Sequence, residues 1–226
     1  MTLTPDELRA MQTMYGWINA VLADGRVYAT QLDALIKAQT RQPIMLSVPY
    51  VPQNDPMRAD DDYSNSDCGP ACVQMVIGWR GRVVPVDQVS MATGLPAGFK
   101  YTMPANLIVA AAKFDLALVH RFGLPTDQIG PLTLGLIRSE VDADRPVIVL
   151  VHYPSLPIRR DMTFTGGHYV VVTGYEPDTN AIIYHDPYWP DLAGANVRCS
   201  GEAFQSAMAN CKLNGNRPYQ GLTVRP

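Results

Sequence analysis

The chain has 226 residues, 47% hydrophobic and 17% charged, with a formal net charge of −3. That is enough length and apolar content for one large folded domain, or for a domain with an extension. No Lys/Arg run stands out, and no stretch nears the roughly 20 apolar residues of a membrane span, which argues against nucleic acid, an anionic membrane surface or a bilayer as partner.

Thr4-Pro5-Asp6-Glu7 is a helix-start signature: a capping threonine, a proline, then acids in the first turn. It predicts a helix to about Ala23. Asp24-Gly25 breaks that helix, and Thr30 caps a second one to about Thr40. Asp24-Gly25 lacks the further carboxylates of a calcium loop and reads as a plain turn. Residues 1–42 are therefore expected to form a helical arm, and residues 43–226 the main domain. The N-terminus has no basic stretch leading into an apolar run, so no conventional secretory signal is read and the cytoplasm is the default compartment. The four cysteines, Cys68, Cys72, Cys199 and Cys211, are too few for a disulfide-built scaffold, and a Cys199–Cys211 pair is left open.

From Ile44 to Gln53 the chain reads as extended and proline-punctuated, and from Asn54 to Asp67 as a polar surface loop. Then comes an abrupt seam, Asp67-Cys68-Gly69-Pro70-Ala71-Cys72, opening an apolar helix in which Cys72, Met75, Val76 and Trp79 recur at helical spacing. Pro70 suits a first turn. The free N–H groups and dipole of a helix start favour thiolate over thiol, and the thiolate is the nucleophilic form. Further helices are expected over 86–91, from Met103 to about Phe114, and from a Thr133 cap to about Val141. A short strand is expected over 116–120. From Pro146 the pattern turns β-like, with strands over 146–152, 167–175 and 181–186. The turn Glu176-Pro177-Asp178-Thr179-Asn180 joins the last two as a hairpin. A long loop from Pro187, a helix near 202–210 and an apolar tail at Leu222-Thr223-Val224 close the chain. Helices first and antiparallel strands later give an α+β fold.

A cysteine nucleophile needs a base, and the base needs an orienting group. In the hairpin register, His168 at the start of one strand and Asp186 at the end of the next are neighbours at one end of the sheet. Asp186 then bonds one imidazole nitrogen and leaves the other for Cys68, the logic of a Ser-His-Asp triad. An oxyanion needs N–H donors, which the Gln53 side chain and the Cys68 backbone supply. Gln74 competes for that role but lies within the Cys68 helix, away from its N-terminus. His185, adjacent to Asp186, points to the opposite strand face and is expected to be structural or at the substrate rim. Cys72 reads as core. Tyr188 and Trp189 are left open between cleft wall and core cover.

Gln53, the segment 67–72, Gly167-His168-Tyr169-Val170-Val171-Val172-Thr173-Gly174 and His185-Asp186-Pro187-Tyr188 together resemble papain-like cysteine peptidases. The resemblance is to the double-glycine, bacteriocin-processing peptidase family and its stand-alone relatives, and covers about residues 44–190. It implies a papain-like fold, with the helical part carrying the nucleophile and the antiparallel sheet carrying His and Asp. It implies Cys68 as nucleophile, His168 as base, Asp186 as its orienting residue and Gln53 in the oxyanion hole. It implies hydrolysis of a peptide or protein substrate, with no cofactor and no metal. Transporter-linked members of that family carry membrane and ATP-binding domains, whereas these residues hold no Gly-rich phosphate loop with Lys-Ser/Thr. The Gln53–Cys68 gap of fifteen is also longer than in those members, so the double-glycine preference is not carried over.

Three other readings compete. A zinc module could use Cys68 and Cys72 with two histidines, but the paired ligand spacing is absent. A non-catalytic interaction domain on the same scaffold is argued against by the intact Cys, His and Asp. An amidase, transglutaminase-like enzyme or peptidoglycan-cleaving lysin shares the thioester mechanism and stays open.

Overall fold

The computed structural model describes residues 3–21, 41–54, 67–96, 101–123, 130–212 and 218–225. The helix expected from Thr30 to about Thr40 and most of the loop expected over 54–67 lie outside the described residues. By internal contacts the chain divides into two units, Met1–Pro43 with Glu176–Thr179, and Ile44–Tyr175 with Asn180–Pro226. The first holds helix α1, Pro5–Val21. It opens as the Thr4 motif predicts: the Glu7 carboxylate accepts from the Thr4 backbone N–H, and the Glu7 backbone N–H donates back to Thr4 Oγ1.

The second unit carries five described helices and the sheet. The helices are α2 (Cys68–Trp79), α3 (Val86–Ala92), α4 (Pro104–Ala112), α5 (Leu134–Asp142) and α6 (Gly201–Asn210). The strands are β1 (Ile44–Met45), β2 (Leu118–Arg121), β3 (Val147–His152), β4 (Gly167–Glu176), β5 (Ala181–His185), β6 (Val197–Ser200) and β7 (Gly221–Val224). The sheet runs β2-β7-β3-β4-β5-β6, with β1 paired antiparallel to the far end of β4. β3 pairs antiparallel with β4 on one side and β7 on the other.

The continuous apolar run of β3 follows from burial on both faces, since successive side chains point to opposite sides. Ile148 and Leu150 join Tyr169 and Val171 of β4 and Leu222 and Val224 of β7 in a core shared with α2 and α4. Val147, Val149 and Val151 join Val170 and Val172 in a second core with Ile182, Tyr184 and Phe204 of α6. Each fully buried aliphatic of this kind contributes about 1.5–3 kcal/mol. The Thr133 cap of α5 is present, its Oγ1 accepting from the Leu136 N–H at 3.1 Å. Ile137 and Val141 are buried below it.

Two expectations change. The segment after Pro187 is not only a loop: it contains a short 3₁₀ turn at Leu192–Gly194 and strand β6, which pairs with β5. The apolar tail is an internal strand, β7, between β2 and β3.

Candidate active site

Cys68 is the first residue of α2, directly after Asp67. The buried Asp67 carboxylate accepts a 2.9 Å bond from the Ser90 hydroxyl of α3, which ties the helix start to its neighbour. Gly69 allows the approach of the next helix: a Cβ there would meet Thr102 Oγ1 and the Leu107 side chain just ahead of and within α4. The result is a half-buried thiol at the mouth of an otherwise buried helix. Cys72, one turn on, is fully buried, and desolvation pushes its thiol well above the ordinary range. Burial pushes Cys199 up to about 12 as well. All four cysteines are free thiols. Among the described residues no group of three or more His, Cys, Asp and Glu side chains is placed to hold a metal ion.

His168 is the second residue of β4, and Asp186 follows the last residue of β5. Their side chains meet at 2.7 Å, His168 Nε2 to Asp186 Oδ1, and both are almost wholly buried. The same Oδ1 accepts the Tyr188 backbone N–H at 3.0 Å. Burial alone lowers the imidazole's pKa. Here the charge and hydrogen bond of Asp186, with smaller contributions from Cys68, outweigh burial and drive it upward. With Nε2 held by the carboxylate, Nδ1 is the nitrogen left for the Cys68 thiol.

The imidazole is packed in aromatic rings. Tyr153 stands edge-on to it at 5.0 Å between centroids and Tyr188 is tilted at 5.8 Å, with Phe164 against both tyrosines. Asp186 is pinned through its backbone. Its N–H donates to Gly194 O at 2.8 Å, and its carbonyl lies 3.0 Å from the Tyr50 hydroxyl, which also reaches Trp189 O at 2.6 Å. Gly194 is required there, because a Cβ would overlap the Asp186 carbonyl and the Tyr50 hydroxyl.

Gln53 is buried, and its backbone N–H donates to Pro187 O at 2.7 Å, one residue past Asp186. The segment carrying Tyr50 and Gln53 is thereby fastened to the 186–189 turn. His185 faces away from this cluster: its Nε2–H donates to Val48 O and its Nδ1 accepts the Asn196 N–H, each at 3.0 Å. It is structural. Tyr188 packs on His168 and against the second core, and it also lines a pocket of about 340 Å³ with Asn54, Arg160, Asp161 and Met162. Tyr153, Arg160, Tyr50 and Gly194 were not singled out from sequence. The aromatic and Arg-Asp density of 153–164 is the signal that points to the first two.

The model of the Peptidase_C39-like family matches residues 45–210. A comparison with curated proteins finds no match. Among solved structures, a protein described as a C39-like peptidase from Bacillus anthracis superposes with a TM-score of 0.55 at 17% identity, covering 82% of this chain and 98% of that one. The peptidase domain of Streptococcus ComA, a bifunctional ABC transporter of a quorum-sensing pathway, gives 0.49 at 21% identity over 78% and 96%. A double-glycine motif protease from an AMS/PCAT transporter, solved with a leader peptide, gives 0.44 at 18% over 82% and 99%. The first of these speaks for the fold, which is papain-like.

Proposed function

We propose, from the premise that this chain belongs to the Peptidase_C39-like family, that it hydrolyses peptide bonds through a thioester on Cys68. The observation that carries this reading is the buried His168–Asp186 bond, which leaves the second imidazole nitrogen for a thiol at a helix start. His168 accepts the thiol proton on Nδ1, and Asp186 holds the tautomer and stabilises the imidazolium. The thiolate attacks the carbonyl carbon, and His168 returns the proton to the leaving amine. Water then attacks the thioester with His168 again as base. The Gln53 side-chain amide and the Cys68 backbone N–H are the proposed donors to the oxyanion. Gln53's burial beside the 186–189 turn supports its share of that role. The peptidase domain is proposed to begin at residue 43, with residues 1–42 a separate arm.

The test is digestion of a diverse peptide mixture, and separately of peptidoglycan fragments, by wild type and Cys68→Ala, read by mass spectrometry. Wild type is expected to cut peptides, with a thioester adduct on Cys68 trapped by acid quench, and Cys68→Ala to cut none. Cleavage retained in pure Cys68→Ala overturns the nucleophile assignment. Cutting confined to the wall fragments moves the substrate class instead.

A further inference from the structure

The pocket beside Tyr188 is not used by the steps above, yet it shares a wall with the base. Tyr188 packs on the His168 ring, its N–H holds Asp186, and its side chain lines the pocket. His168 must hand its proton to the leaving amine, so the leaving half of a substrate lies on the His168 side of the thiol. The pocket is therefore on the leaving-group side.

Its one cation is held in place. The Arg160 backbone N–H donates to the Tyr153 hydroxyl at 2.8 Å, its Nη1 donates to Tyr188 O at 2.7 Å, and its guanidinium lies 5.3 Å from the centre of the Tyr188 ring. Both tyrosines are the rings that pack His168. The guanidinium remains exposed, and among the described residues no carboxylate pairs with it. The pocket's carboxylate, Asp161, is already engaged. Its Oδ1 accepts from the Thr163 N–H and hydroxyl, both at 2.7 Å, and its Oδ2 accepts from the Tyr188 hydroxyl at 3.0 Å. Asp161 thus fixes Tyr188 and offsets the long-range field of Arg160. What remains for recognition is a short-range, planar donor fork, the geometry that suits a carboxylate. Asn54 also lines the pocket, and its side-chain carbonyl is buried without a hydrogen-bond partner among the described residues.

We infer that this pocket is a specificity subsite in which Arg160 binds a carboxylate on the leaving-group side of the substrate, either an acidic side chain near the cut bond or the peptide's terminal carboxylate. The assignment rests on the peptidase reading for the direction of the substrate. Its test does not need turnover. Cys68 alkylation by iodoacetamide is timed by mass spectrometry with three dipeptides as competitors: Asp-Ala-amide, Ala-Ala with a free carboxylate, and Ala-Ala-amide. At least one acid is expected to slow labelling about tenfold more than the amide, the worth of one charge-assisted contact, and which acid does so names the source. Arg160→Gln should abolish that difference, and Arg160→Lys should restore part of it. Equal protection by all three dipeptides, or a difference that survives in Arg160→Gln, overturns the subsite. A failed peptidase reading shows elsewhere, as absent or Cys68-independent cleavage.

Discussion

His168 and His185 are the two fully buried imidazoles of the described chain, on neighbouring strands, each 2% exposed, and their electrostatics are opposite. His185 lies between a backbone carbonyl and a backbone N–H, so burial dominates, its pKa is lowered and the ring is neutral. His168 has a carboxylate at 2.7 Å, and its pKa is raised in spite of complete burial. Burial by itself makes a histidine inert, and one charged neighbour reverses the sign. The thiols differ in placement. The three buried cysteines sit in apolar core, while Cys68 sits at the edge beside the imidazole that stays chargeable.

The largest way to break the contrast is Asp186→Asn, which turns His168 into a second His185. Turnover is expected to fall about 10³- to 10⁴-fold without vanishing, because orientation is lost but the nucleophile and donors remain. The His168 imidazole resonance should titrate at lower pH in that variant. An unchanged rate and titration would send the orienting role to another residue.

A smaller effect is the pH dependence of stability, where the two histidines pull at opposite ends. His168 is raised in the fold, so its contribution is full below its ordinary value near 6.5 and is lost as pH rises toward about 10. His185 is lowered in the fold, so it costs stability as pH falls below about 6.5, where the unfolded imidazole takes up a proton first. Denaturant unfolding across pH should show wild type losing its advantage over Asp186→Asn on the alkaline side. A gap constant from pH 6 to 10 contradicts the assignment.

The smallest is His185→Gln, which removes a link between β5 and Val48 without touching the proposed chemistry. A loss of about 1–3 kcal/mol is expected from two disturbed buried bonds, read as a Tm drop, with cleavage kept at permissive temperature.

Much of this was legible in the sequence because the informative residues stand at seams where pattern changes. Cys68 marks the step from polar loop to apolar helix, and hairpin register alone brings His168 and Asp186 together. The strands β3, β4 and β5 follow from short apolar runs. What escaped depends on partners distant in the chain. β6 has only four residues, alternately buried and exposed, behind a Gly-Asn stretch that reads as loop. Tyr50 reaches across 136 residues to the Asp186 carbonyl, and Gly194 matters only because that contact crowds it. Tyr153 and Arg160 gain meaning from the ring stack on His168, which no local pattern encodes.

Strand β7 follows every other described strand in chain order, yet it lies inside the sheet, hydrogen-bonded to β2 and β3. During synthesis, β3 therefore waits with one edge open while about seventy further residues are added, roughly 4 to 14 seconds at ribosomal speed. Through that interval the neighbour of the His168 strand, apolar from Val147 to Val151, has an edge of unpaired backbone N–H and C=O groups, a template for wrong pairing. The long-range closure also slows folding relative to a chain whose neighbours in space are neighbours in sequence. A nascent chain thus carries an aggregation-prone edge until β7 has been added, and the scaffold behind His168 settles only after that strand is in place.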